Sequence, residues 1–407
     1  MLSLPTGEPW ASGGEVAATL RKAGFETYAA GGCVRDLLLG RPVHDIDIAS
    51  AAHPSQVEAV FAAHGWRTVA VGKAFGVVVV IAPDGRHIEV ATFRSDGAYV
   101  DGRRPESVVF TTAAEDVARR DFTINALLLD LTDGRIIDHV DGIADIGRRV
   151  IRAVGDPIGR FSEDRLRVLR ALRFAAHLDF TIDDATWRAL VATPLAGLSG
   201  ERLVQEWFKA LEAAGRGRWL ALLADSGQLT AFCSPLAALA GEQRLIQAHR
   251  LDRLTTDDPQ ALQAALWLVP VSAAAAEAWL AQLPLSRDLA TTVRWLLAHA
   301  RELNVLAARS RPERRRLWQH PAGSQLARLL DLVHGAAASE WVAEQAAEAA
   351  AGPWKPLVRA GDLIALGCVP GPALGSLLRE VEDAQLDGRL TDRDAALDLA
   401  RTRLSRG

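Results

Sequence analysis

Two carboxylates one residue apart, Asp45 and Asp47, follow closely on the run Gly31-Gly32-Cys33-Val34-Arg35-Asp36. Glycines let backbone N–H groups approach phosphate oxygens, and a helix starting there turns its positive end toward them. Asp45 and Asp47 alternate with Ile46 and Ile48, which puts both on one face of a strand. Side-by-side carboxylates repel unless a cation lies between them, and hard oxygen ligands beside phosphate suit Mg²⁺. The chemistry implied is that of a nucleoside triphosphate held with metal ions. Glu89, in His87-Ile88-Glu89-Val90, alternates with apolar neighbours on another expected strand. It is a candidate third carboxylate, although a solvated strand position describes it equally well.

A second constellation is Arg119-Arg120-Asp121-Phe122-Thr123-Ile124-Asn125. Asp121 is expected to cap a short helix behind two arginines, whose forked guanidinium groups suit triphosphate oxygens. Asn125, one turn on, would reach a ribose hydroxyl. A capped surface helix is the plain alternative. The third constellation runs from Ser162, a helix-capping residue, through Asp164, Arg167, Arg170 and Arg173. These four charges lie three apart, so they form a row slanting around a helix, with Leu166, Leu169 and Leu172 as the apolar row beside it. By themselves they also describe a salt-bridged surface helix.

Residues 1–155 read as mixed α/β. Strands are expected at 27–30, 45–49, 67–71, 76–82 and 87–92, with helices at 14–23, 34–39 and 53–63. Residues 94–112 lack periodicity and read as a loop, and a hairpin follows at 127–131 and 136–140 around Asp133-Gly134. From about residue 160 apolar residues recur at helical spacing almost to the C-terminus. The expected architecture is an α+β head, a mixed β-sheet with helices over 1–155, then a helical neck over 156–215 and an all-α body over 216–407.

Composition narrows the class. The chain has 407 residues, 49% of them hydrophobic and 24% charged, as in ordinary globular proteins with two or three domains. No apolar run is long enough to span a membrane, and Met1–Trp10 lacks a signal-peptide layout. Cys33, Cys233 and Cys368 are scattered, which argues against a disulfide framework and for a reducing cytoplasm. A net charge of −4 means that any RNA affinity must come from local arginine clusters. The densest in the body is Arg314-Arg315-Arg316 beside Trp318, suited to phosphate contact and stacking, or equally to a solvated helix start. Trp187, Trp207 and Trp267 read as core.

Taken in order, Gly31-Gly32-x-Val34-Arg35-Asp36 with Asp45-x-Asp47, Arg119-Arg120-Asp121-Phe122-Thr123-Ile124-Asn125-Ala126, and Glu163-Asp164-x-x-Arg167 resemble the motifs of the class II tRNA nucleotidyltransferases. That family contains the bacterial CCA-adding enzymes and poly(A) polymerases. A later stretch, Gly361-Asp362-Leu363-Ile364 through Gly375, is similar to the C-terminal region of CCA-adding members. The resemblance implies a nucleotidyltransferase head in which Asp45 and Asp47 bind two Mg²⁺ ions. It also implies Gly32, Arg35 and Arg120 on the phosphates, Asn125 at the sugar, and Asp164 with Arg167 reading the base, flanked by Arg170 and Arg173. The implied substrates are CTP, ATP and the acceptor arm of tRNA, with no obligatory protein partner.

Within that family CCA addition is favoured over CC-only addition or poly(A) synthesis. The 94–112 loop, with Arg94, Asp96, Asp101, Arg103 and Arg104, is of the kind found in members that switch from C to A. The stretch Val71-Gly72-Lys73-Ala74-Phe75-Gly76-Val77 resembles the CCA-adding version, and a long basic tail is absent from the sequence. Two other classes fit the residues less well: an inactive RNA-binding scaffold, which would be expected to lose an aspartate, and a small-molecule nucleotidyltransferase, which would not need the Asp164–Arg167 helix.

Overall fold

β-Branched and small residues alternating through the first 140 residues build one seven-stranded sheet. The computed structural model describes residues 4–72, 76–96 and 108–405, with Val71, Gly72, Asp96 and Val108 described by backbone alone. In chain order the head carries α1 (Trp10–Lys22), β1 (Thr27–Ala30), α2 (Gly32–Leu38), β2 (Asp47–Ser50) and α3 (Pro54–Ala63). Then come β3 (Arg67–Gly72), β4 (Val77–Ile81), β5 (His87–Thr92), β6 (Arg94–Asp96), β7 (Val108–Phe110), α4 (Ala113–Ala118), β8 (Leu127–Leu129) and β9 (Ile136–Asp138). The sheet order is β3-β4-β5-β2-β1-β8-β9. β2 and β5 run parallel, and every other neighbouring pair is antiparallel.

The register places the chemistry. Asp47 stands opposite Ala30 on β1 and opposite Glu89 on β5. Ile46 and Ile48 are buried while Asp45 and Asp47 are exposed, so the expected alternation holds even though β2 begins only at Asp47. α1 seals the inner face with Val16, Ala17 and Leu20, and its Gly13 admits Ile46 so closely that a Cβ there would lie 2.7 Å from Ile46 Cγ2.

Next along the chain come α5 (Gly142–Arg148), β10 (Val150–Ile151), α6 (Pro157–Glu163), α7 (Leu166–Leu178), β11 (Thr181–Ile182), α8 (Asp184–Ala192), α9 (Gly200–Glu212), α10 (Arg216–Asp225), α11 (Gln228–Phe232) and α12 (Ser234–Ala237). α7 buries Leu166, Leu169 and Leu172, the apolar row read from spacing. Two expectations are corrected. Residues 94–112 are not loop throughout, because β6 and β7 pair as a two-stranded ribbon. The helix expected to start at Ser162 is two helices. Ser162 lies inside α6, where its hydroxyl donates to the Ile158 carbonyl, and Asp164 takes an extended conformation at the break before α7. Lys73, Ala74, Phe75, Asp101, Arg103 and Arg104 lie outside the described residues.

The chain divides into two compact units, Met1–Ala238 and Leu239–Gly407, so the helices of 156–215 share a unit with the sheet. Among its described residues the second unit is helical throughout, around a core that includes Leu262, Leu266, Leu296, Leu326 and Leu330. Trp207 and Trp267 are fully buried and Trp187 half-buried. The three cysteines are buried and none forms a disulfide. No described helix is long and apolar enough to cross a membrane.

Candidate nucleotide-binding cleft

A cleft of about 540 Å³ opens in the first unit between the sheet and α7. The sheet side contributes Gly31, Gly32, Arg35 and Asp47, and the segment after α4 contributes Arg119, Arg120, Asp121 and Asn125. The helical side contributes Asp164, Arg167, Arg170, Arg173, Phe174 and Lys209. Three constellations spread over residues 31–173 therefore meet in one cavity.

Gly31 has φ +81° and ψ −131°, a conformation open essentially to glycine alone, and it turns β1 into α2 so that the start of α2 faces the cleft. A Cβ at Gly31 would also meet the Arg120 guanidinium at 3.2 Å. Gly31→Ala is expected to destabilise the first unit by about 1–3 kcal/mol and to weaken nucleotide binding. A thermal melt and a nucleotide titration check both effects.

Burial, the facing Glu89 carboxylate and nearby Asp45 push the Asp47 carboxyl up to about 6, with Arg120 opposing. Its carboxylate opens on solvent, but the cleft walls remove part of its water. The donors fit a hard divalent cation, which would relieve this repulsion. Among the described residues no three His, Cys, Asp or Glu side chains converge closely enough to hold a metal unaided, so phosphate oxygens would complete its coordination.

The arginines arrive with partners. Arg35 is buried, grips Asp36 through Nε and Nη2 at 2.9 and 2.8 Å, and donates to Asn125 Oδ1 at 2.6 Å. Asp116, almost wholly buried, takes Arg119 and Arg120, and these two charges hold its carboxyl below the ordinary range against the upward push of burial. Asp121 is not a helix cap. The expected helix is a single 3₁₀ turn, Thr123–Asn125, and Asp121 receives Arg170 at 2.7 and 2.9 Å. Burial pushes the Asp121 carboxyl up, and the Arg170 pair outweighs it, so the group stays ionised. Asn125 is held at both ends of its amide, by Arg35 and by Asp121 at 3.2 Å, so it braces those residues and keeps one amide N–H for a ligand. The Phe174 ring packs under Arg35, Arg170 and Arg173, at 5.1, 5.2 and 4.3 Å from its centroid.

The residues expected to read the base are braced separately. Arg202 grips both oxygens of Asp164 at 3.0 and 2.7 Å, and Leu166 N–H donates to Oδ1. Arg167 pairs with Glu163 at 2.6 Å and donates to the Arg160 and Arg119 carbonyls. Arg173 pairs with buried Glu206. Arg202, Glu206, Lys209 and Phe174 were not singled out from the sequence. The first three recur at helical spacing on α9, but spacing does not say which cavity a helix faces.

Arg314, Arg315 and Arg316 are corrected from RNA contacts to internal clamps. Arg314 pairs with Glu344, Arg315 with Glu348 and Arg316 with Asp383, which ties helix Arg311–Gln319 to helices Ser339–Ala351 and Pro372–Leu386. Partly buried carboxylates already occupy these guanidinium groups, which makes them weaker phosphate ligands than unpaired cations. Arg315→Ala is expected to cost about 1 kcal/mol of stability in urea unfolding and to leave RNA affinity unchanged.

Residues 27–152 match the family model for the poly(A) polymerase head domain. The CCA-adding enzyme of Geobacillus stearothermophilus is 45% identical over 57% of this chain and 56% of that protein. That of Enterococcus faecalis is 48% identical over 49% of this chain, so these two matches span about half of each relative. The CCA-adding enzyme of Limosilactobacillus fermentum is 35% identical over 93% of this chain and 92% of its own length. A crystal structure of the Bacillus stearothermophilus CCA-adding enzyme in complex with CTP superposes with a TM-score of 0.80 at 31% identity, over 98% of this chain and 100% of that one. With its three motifs gathered in one cleft and near full-length likeness to such relatives, the chain belongs to the family of CCA-adding enzymes, nucleotidyltransferases with a poly(A) polymerase-type head.

Proposed function

We propose that this chain adds C, C and A, from CTP and ATP, to the 3′ end of tRNA, releasing pyrophosphate. The observation that carries this reading is one cavity joining a phosphate-accepting turn and an acidic strand to Asp164 and Arg167, an acceptor and a donor suited to a base edge. The near full-length likeness to CCA-adding relatives supports it.

In the reaction the RNA 3′-oxygen bonds to the α-phosphorus of the nucleotide, the bond from that phosphorus to the bridging oxygen breaks, and pyrophosphate leaves. Backbone N–H groups at the start of α2 and the Arg120 guanidinium would receive the triphosphate. Asp45 and Asp47 would hold Mg²⁺, which supplies charge neutralisation to the phosphates and acidifies the attacking hydroxyl. Arg35 and Asn125 stiffen this floor through their mutual hydrogen bond.

Base choice follows from the hydrogen bonds left over. A carboxylate has about four lone-pair sites, and at Asp164 the two Arg202 bonds and the Leu166 N–H use three, which leaves Oδ2 open to one more donor. Arg167 donates three of its five N–H groups inside the protein and keeps two. Cytosine and adenine both offer an amino donor beside a ring acceptor, which matches this pair. Uracil and guanine turn a carbonyl oxygen toward Asp164 and leave both groups unpaired.

The test uses purified protein, Mg²⁺ and tRNA lacking its 3′ end, with CTP, ATP or both, and reads products by mass. Termination after C-C-A is expected. Termination after two cytidines would make this a CC-adding enzyme, and a ladder of adenosines would make it a poly(A) polymerase. Absence of addition would overturn the transfer reading.

A further inference from the structure

The arginines lining the cleft are neutralised from within: Asp36 holds Arg35, Asp116 holds Arg119 and Arg120, Asp121 holds Arg170, Glu163 holds Arg167, and Glu206 holds Arg173. Lys209 differs. It lines the same cleft, its side chain is exposed, and among the described residues no carboxylate lies against its ammonium group. Its neighbours on α9 account for its position. Arg202 is fixed on Asp164 and Glu206 on Arg173, and Lys209 follows one turn after Glu206 on the same stripe. Two ion pairs to the base-reading side therefore orient α9, and the stripe they define ends on an unneutralised cation at the cleft.

Substrates of this cleft are polyanions. Pulling a paired arginine off its carboxylate to meet a phosphate would leave that carboxylate without its partner, which is unfavourable, so these arginines offer a phosphate only the N–H groups their pairs leave free. A flexible, solvated ammonium carries no such penalty and acts as a point charge for phosphate. We propose that Lys209 is a substrate contact that takes a phosphate oxygen in this cleft, either of the RNA 3′ strand or of the incoming nucleotide. The proposal rests on the reading of the cleft as a nucleotide-transfer site. The sheet side already offers the Gly31 turn and Arg120 to the triphosphate, whereas Lys209 comes from the helical side, so the RNA strand is the expected source.

The test compares the unaltered chain with Lys209→Gln and Lys209→Arg. Binding of tRNA is measured across a KCl series without nucleotide, CTP binding is measured without tRNA, and KM is measured for each. Lys209→Gln is expected to weaken tRNA binding about fivefold and to lower the slope of log affinity against log salt by about 0.7, the value for one phosphate on a single strand. Lys209→Arg is expected to recover most of both. A loss confined to CTP would also uphold the contact and assign it to the nucleotide. Unchanged tRNA binding, salt slope and CTP binding in Lys209→Gln would overturn it. The binding arms need no turnover, so an unaltered chain that added no nucleotide yet showed the slope difference would sink the transfer reading while upholding the phosphate contact.

Discussion

Asp47→Asn is expected to lower nucleotide addition by about three orders of magnitude, the effect of losing several kcal/mol of charge stabilisation at the reacting phosphate. The fold should survive, because the side chain opens on the cleft and Asn keeps its size. Single-turnover assays with CTP and truncated tRNA, beside a thermal melt, separate the two effects. The same carboxyl is expected to shape the acid limb of activity. Without metal, burial and the opposing Glu89 push it up to about 6, above the ordinary 3.8, so at limiting Mg²⁺ addition is expected to fall as pH drops through about 6, and saturating Mg²⁺ to move that fall to lower pH. The stability contribution runs the other way. The folded chain binds this proton more tightly than the unfolded chain, so this group favours folding increasingly as pH falls from above 6 toward 3.8. An acid limb that did not move with Mg²⁺ concentration would remove Asp47 from the metal-binding role.

Asp164→Ala is expected to erase the preference of CTP and ATP over UTP and GTP by roughly 10- to 150-fold, the equivalent of one charged hydrogen bond of about 1.5–3 kcal/mol. Truncation removes the acceptor proposed to meet the base amino group and also orphans Arg202. Arg202→Ala is the companion variant. It leaves the Asp164 carboxylate in place without its brace, so selectivity should fall by less, and kcat/KM ratios among the four nucleotides resolve the order. Equal selectivity in Asp164→Ala and the unaltered chain would assign base choice elsewhere in the cleft.

Some of this arrangement was settled by local sequence. Ile46 and Ile48 prefer the core, and a strand's period of two then forces Asp45 and Asp47 to the open face. The bounds expected for β1, β5 and the end of α3 hold because β-branched alternation and Pro54 at a helix start act within a few residues. Gly31 declared its turn because a positive φ excludes side chains. The ion-pair partners were not legible. Asp121 meets Arg170 across 49 residues, Asp164 meets Arg202 across 38, and Arg173 meets Glu206 across 33. Long side chains with several rotamers choose among carboxylates by proximity in space, and helical periodicity is silent about which helix packs opposite. The same reason turned Arg314–Arg316 from an open basic patch into clamps and hid Lys209. Sequence determined which residues carry the chemistry; the tertiary packing of α7 and α9 decided which of their charges remain available to a substrate.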